Sequence, residues 1–122
     1  MYRPYANTYL CTYTCVCEAM ATAIREGVDH LRESELERHL VREVKRIGGL
    51  APKWVSTGNR GVPDRLVILP GGITVYVEMK APGKPLKPLQ KRWAKILRGM
   101  GHRVYKIDSD DDIDQFITEV SE

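Results

Sequence analysis

A chain of 122 residues with 43% hydrophobic content is long enough to build one domain with a real core and too short for two. No apolar run reaches the length needed to cross a bilayer, and the N-terminus lacks the basic-then-apolar order of a secretory signal, so a cytoplasmic protein without membrane contact is expected. The net charge of +3 hides an asymmetry: from Asp108 onward there are seven acidic residues and no Lys or Arg, which leaves nineteen basic against nine acidic residues ahead of it, a balance that suits a polyanionic partner.

Residues 1–32 read as an N-terminal extension, weakly ordered or a short helix. Tyr2, Tyr5, Tyr9 and Tyr13 recur at helical spacing among poor helix formers and suit partner surface. Met20, Ile24, Val28 and Leu31 repeat at the same spacing and predict a short amphipathic helix near 18–31, despite Gly27. Cys11, Cys15 and Cys17 are an odd number crowded into seven positions, which is no disulfide framework; with only His30 as a distant fourth donor they are a poor metal site as well.

A folded unit of residues 33–122 is expected to follow, in the order α-β-β-β-α-β-α. Its first helix, 35–47, has Leu36, Leu40, Val44 and Ile47 on one stripe, with Ser34 and Glu37 at capping-box spacing and Gly48-Gly49 as the stop. Glu37 falls inside the apolar arc, whereas Glu35 points away; a carboxylate aimed at the core side serves either the cap or a site. Residues 50–56 read as a strand, and the glycines flanking Arg60 in the next loop allow a ligand phosphate to approach closely.

Residues 61–80 organise the rest. Two β-branched runs around Pro70-Gly71-Gly72 predict a β-hairpin. With a three-residue turn Leu69 faces Ile73, and counting outward Asp64 faces Glu78, with Lys80 on the same face one repeat further; a two-residue turn, Gly71-Gly72, would set Asp64 opposite Met79 and destroy the grouping. Two adjacent carboxylates repel unless a cation lies between them, and oxygen donors suit Mg2+ or Mn2+.

Beyond the hairpin, Lys84 and Lys87 stand in a Pro-rich loop, and Pro88 opens a helix with Leu89, Trp93, Ile96, Leu97 and Met100 as its apolar stripe. Lys91, Arg92, Lys95 and Arg98 take the other side, a solvated face or a phosphate-contacting one, and Gln90 borders the stripe near the N-terminus. A last strand, 102–107, precedes a helix capped by Ser109 and Asp112, with the acidic run Asp110 to Asp112 complementing its dipole.

Pro63-Asp64 with Glu78-Met79-Lys80 resembles the two-part signature of the PD-(D/E)XK nuclease superfamily. Gly61-Val62-Pro63-Asp64, the hairpin-length spacing and Pro88-Leu89-Gln90 are similar in particular to the VRR-NUC domain, the virus-type replication-repair nuclease, over about residues 33–117. The resemblance implies an α/β restriction-endonuclease-like core, a small mixed β-sheet flanked by helices, and DNA phosphodiester hydrolysis assisted by Mg2+ or Mn2+. Carried over by position, Asp64, Glu78 and the Met79 carbonyl would hold metal, with Glu37 as a further acid through water. Lys80 would orient or activate the attacking water, and Gln90 matches the glutamine of the next helix. Arg60, Lys84, Lys87, Lys91, Lys95 and Arg98 are the candidate DNA contacts. Stand-alone members of this size resemble phage or bacterial homodimers that cut four-way junctions in replication, recombination and repair. The Cys- and Tyr-bearing extension departs from them, which initiation near Met20 or Val28 would explain. A non-catalytic DNA-binding module on the same fold and an RNA-directed nuclease are the alternatives.

Overall fold

The computed structural model describes the backbone from residue 6 and side chains from residue 17, so Cys11, Cys15 and the N-terminal tyrosines lie outside the described side chains. Helix α1 runs unbroken from Ala6 to Arg46. At about 1.5 Å rise per residue it is roughly 60 Å long. The expected gap between a short helix and one starting at residue 35 is absent. Ser34 lies inside α1, where its carbonyl accepts from Arg38 Nε at 3.3 Å, so no capping box forms there. Arg32, Glu33 and Glu35 around it are adequate helix formers, and a single Ser between them does not interrupt the ladder. The stop is the expected one: Gly48 takes φ 87°, a left-handed conformation that other residues resist, and Gly49 N–H closes on Val44 O at 2.9 Å.

Strand β1 (Arg65–Leu69) pairs antiparallel with β2 (Ile73–Met79), and β2 pairs parallel with β3 (Val104–Ile107) across helix α2 (Pro88–Gly99). The hairpin takes the three-residue turn: Leu69 lies opposite Ile73 and Arg65 opposite Val77. The segment expected as a first strand follows the free edge of β1 only through bridges at Leu50↔Ile68 and Lys53↔Arg65. Pro52 has no N–H to give, and although its carbonyl accepts from Leu66 N–H at 3.0 Å, the ladder is broken at that point.

Alternation along β2 then assigns the layers. Val75, Val77 and Met79 join Val67 and Leu69 on one face, covered by Leu36, Leu40 and Val44 of α1 and by Ile113, Phe116 and Ile117 of helix α3 (Asp110–Ser121). Each such side chain, once fully buried, contributes about 1.5–3 kcal/mol. On the other face Ala94 and Leu97 of α2 meet Val104, Trp54 and Tyr76. Ser109 caps α3 as expected, accepting from Asp112 N–H at 3.1 Å, while Asp112 reaches back one residue further to Asp108 N–H at 3.2 Å. The fold is therefore α/β, with a small mixed sheet between helical layers.

Candidate metal centre

The ladder ends at Arg65↔Val77, and the next residues outward, Asp64 and Glu78, come together through their side chains at the end of the hairpin. Asp64 is fixed twice: its carbonyl accepts from Trp54 N–H at 2.9 Å, and its carboxylate Oδ2 accepts from Met79 N–H at 3.1 Å. Glu78 and Lys80 fall on the face opposite the Val75, Val77 and Met79 core; both are buried, at 3% and 9% exposure. Lys80 is anchored by its own N–H to Ile107 O at 2.9 Å. Met79 contributes through its main chain, because its side chain belongs to the core.

Gln90 completes this side. Its Oε1 accepts from Lys87 N–H at 2.8 Å, which orients the amide so that Nε2 donates to Glu78 Oε1, also at 2.8 Å. The helix can deliver Gln90 there because residue 61 is glycine. With φ 85°, a Cβ on Gly61 would lie 2.7 Å from the backbone of Leu89. The loop before Asp64 and the start of α2 thus press together at a distance only glycine permits.

Burial first, and then Asp64 beside it, pushes the Glu78 carboxyl up from 4.5 to about 9. Near neutral pH and without a cation it holds a proton and shares a hydrogen bond with Asp64. From α1 comes a third carboxylate that sequence reasoning missed. Glu33 has its pKa raised by burial and by Asp64, with Glu37 adding to the effect and Lys80 opposing it. Ligand oxygens of Glu33, Glu37 and Asp64 lie within 4.8 Å of one another, the one such grouping able to hold a metal among the described residues. Glu37, which sequence reasoning did single out, also pairs with Arg65 NH2 at 2.9 Å, so it is partly neutralised, whereas Glu33 has no ion-pair partner among the described residues. Glu33 was legible in principle: it is one turn before Glu37 and on the same helical face. These crowded oxygen donors, one of them buried, fit a hard divalent ion. The aspartate run at the start of α3 forms no such grouping; Asp110 instead meets His39 Nδ1 at 2.6 Å.

The centre opens into a basin of ≈590 Å³ with Glu26, Asp29, His30 and Glu33 of α1 on one wall and Lys84, Lys87 and Gln90 on the other. Lys84 reaches across to Asp29 at 3.1 Å. Of the other basic candidates, Arg60 lies away from this basin, in a smaller groove with Arg92 and Trp93. Lys91 and Lys95 are exposed on α2, and Arg98 is engaged, donating to Val104 O at 2.7 Å.

The VRR-NUC domain family model matches residues 15–111. A phage protein described as "Putative nuclease p44", from Acyrthosiphon pisum secondary endosymbiont phage 1, is 53% identical over 81 residues, spanning 66% of this chain and 87% of that one. A solved structure described as a VRR_NUC domain is 31% identical and superposes with a TM-score of 0.68, covering 71% of this chain and 95% of its own. With the matched region spanning the carboxylates, the lysine and the glutamine just described, the chain belongs to the VRR-NUC domain family.

Proposed function

We propose that this chain is a nuclease that hydrolyses DNA phosphodiester bonds with the help of Mg2+ or Mn2+. The observation that carries this reading is the convergence of Asp64, Glu78 and Lys80 at the end of one hairpin, with Gln90 tying Glu78 to the next helix. Asp64, Glu78, the Met79 carbonyl, Glu33 and Glu37 would hold the ion, which when bound supplies Lewis-acid polarisation of the scissile phosphate. Lys80, buried beside Glu78, orients the attacking water and opposes the negative charge that grows on the phosphate oxygens. Gln90 fixes the rotamer of Glu78, and the rigid hairpin holds the reacting groups in place without reorganisation.

Lys84, Lys87, Lys91 and Lys95 are exposed and suit flanking phosphates, as does Arg60 in its separate groove; Arg98 is the least available of the set. A single centre per small domain favours a homodimer for cutting two strands, and branched DNA such as a four-way junction is the substrate we assign. Labelled linear, flapped and four-way-junction DNA, and a matching RNA, incubated with Mg2+, Mn2+ or EDTA, test all of this together. Cleavage that needs metal and favours junctions is expected. DNA binding without cleavage in either metal would leave a binding module on a nuclease fold.

A further inference from the structure

On the far side of Glu37 from the metal basin lies a second groove, of ≈640 Å³, lined by Ser34, Glu37, Arg38, Val41, Arg42, Lys53 and Arg65. Its charge is opposite to that of the basin: four cations against one carboxylate, and that carboxylate is already bound to Arg65. Arg38, Arg42 and Lys53 are exposed and make no ion pair among the described residues.

The way these cations are gathered is costly to the free protein. Arg38 and Arg42 are one turn apart on α1, a like-charge spacing that destabilises a helix. Lys53 bridges to Arg65 across the sheet edge, which puts two cations directly opposite one another on one face. Arg65 itself is held from two sides, by Ala51 O and Glu37 Oε2, both at 2.9 Å, while its buried Nε has no hydrogen-bond partner. Among the described residues Glu37 is the one carboxylate lining this groove, so an external anion is what the arrangement lacks.

We infer that this groove is a subsite for the nucleic-acid backbone on one side of the scissile phosphate. Asp64 and Arg65 are consecutive and, by strand alternation, face opposite ways, the first into the acidic basin and the second into the basic groove. Glu33 and Glu37 stand one turn apart and divide in the same manner. A strand whose phosphate lies over the clustered carboxylates of Glu33, Glu37 and Asp64 therefore passes its next phosphates over the rim formed by Arg38, Arg42 and Lys53. The guanidinium forks suit phosphate oxygens in pairs, and the two arginines one turn apart follow successive phosphates along the strand. Arg65 stands at the divide and holds Glu37 Oε2 at 2.9 Å. The assignment of the anion as the substrate's own backbone rests on the nuclease reading; the groove's affinity for nucleic acid does not.

The test compares the full chain with R38A/R42A/K53A, three exposed changes that touch no proposed ligand. Binding of a fluorescein-labelled single-stranded DNA is followed by anisotropy in EDTA at increasing NaCl, and cleavage of the same DNA by steady-state kinetics in Mg2+ or Mn2+. The salt slope of the variant is expected to flatten by about two units, from roughly 0.7 per lost contact on a single strand. KM should rise at least about tenfold with kcat within about twofold, the pattern of lost uniform binding. An unchanged slope and an unchanged KM overturn the subsite, as does a wild-type chain that does not bind the DNA. A wild-type chain that binds with the steeper slope but cleaves in neither metal leaves the groove standing and removes the nuclease reading instead.

Discussion

Towards the C-terminal end of α1, Leu40 and Val44 are completely buried, whereas Met20, Ile24 and Leu31, ahead of them on the same continuous helix, stand 61%, 65% and 61% exposed. At about 100° per residue the exposed set points to the side opposite Leu40, so the apolar face changes sides near residue 32. The stretch from Leu36 onward is held by tertiary packing, whereas residues 17–28 are exposed, with Asp29 pinned to Lys84 where the helix passes the basin. The difference teaches that continuity of a helix is no guide to where its stability comes from. The basin takes side chains from either side of the change: Glu26, Asp29 and His30 from before it, Glu33 from beyond it.

The sharpest way to test that division is at the basin itself, which the packed stretch supports. Asp64→Asn and Lys80→Ala should each lower cleavage at least about a hundredfold with the melting temperature retained, because each removes a transition-state contribution rather than packing. Near-wild-type rates in either folded variant would remove the centre.

Next comes a matched pair of truncations on the one helix. Leu40→Ala should cost about 2–5 kcal/mol in urea unfolding. Ile24→Ala should stay within about 0.5 kcal/mol. A comparable loss at Ile24 would show that the exposed stripe is covered in solution and would erase the contrast.

A smaller effect separates three glutamates at the junction. Glu33→Gln and Glu37→Gln should lower metal-dependent cleavage about tenfold or more, the scale on which groups around a metal are felt, and Glu35→Gln, on the exposed opposite face, should not. Calorimetric titration of Mg2+ would show the same ranking in affinity.

The fourth expectation is a pH dependence. The folded-state pKa of Glu78, about 9, is raised above its ordinary 4.5, so the folded chain without metal retains a proton that the unfolded chain releases. This group's contribution to stability is complete below about pH 4.5 and is lost as pH rises through about 9. In EDTA the melting temperature should therefore decline toward alkaline pH, and added Mg2+ should raise it more at about pH 8.5 than at about pH 6, since the ion replaces the proton. A metal effect that is the same at both would mean that Glu78 is not a ligand.

The mildest change should be removal of residues 1–27, which we expect to leave cleavage within about threefold and to cost no more than about 1 kcal/mol, the usual scale for a poorly packed terminus. Aggregation, loss of a dimer or collapse of activity would make the extension integral.

Much of the site was legible because a strand alternates with period two. Once the turn length was fixed, Asp64, Glu78 and Lys80 had to share a face, and Gln90 followed from the proline-started helix beside them. What could not be read arose where a local signal lost to a longer one. Ser34 with Glu37 has capping-box spacing, yet helix-forming neighbours on both sides carried α1 straight through it, so Glu33 was placed outside a helix when it is inside. Residues 50–56 carry strand residues, but Pro52 withholds the donor a ladder requires. The opposed apolar faces of α1 were each visible as spacings; that one unbroken helix joins them was not.

Pro70 carries a consequence for the metal centre although it touches none of it. Gly71 and Gly72 both have positive φ and could by themselves close a two-residue hairpin, with residue 70 paired to Ile73. That alternative asks residue 70 to donate a backbone hydrogen bond, which proline cannot do. The competing register is thus excluded by a missing hydrogen atom, roughly 20 Å of strand away from Asp64 at about 3.4 Å per residue. Restoring the donor at position 70 would offer the chain a second frame in which Asp64 faces Met79 and the two carboxylates lie on opposite sides of the sheet. Every side chain proposed to bind metal would still be present in the sequence, with no place in which they meet.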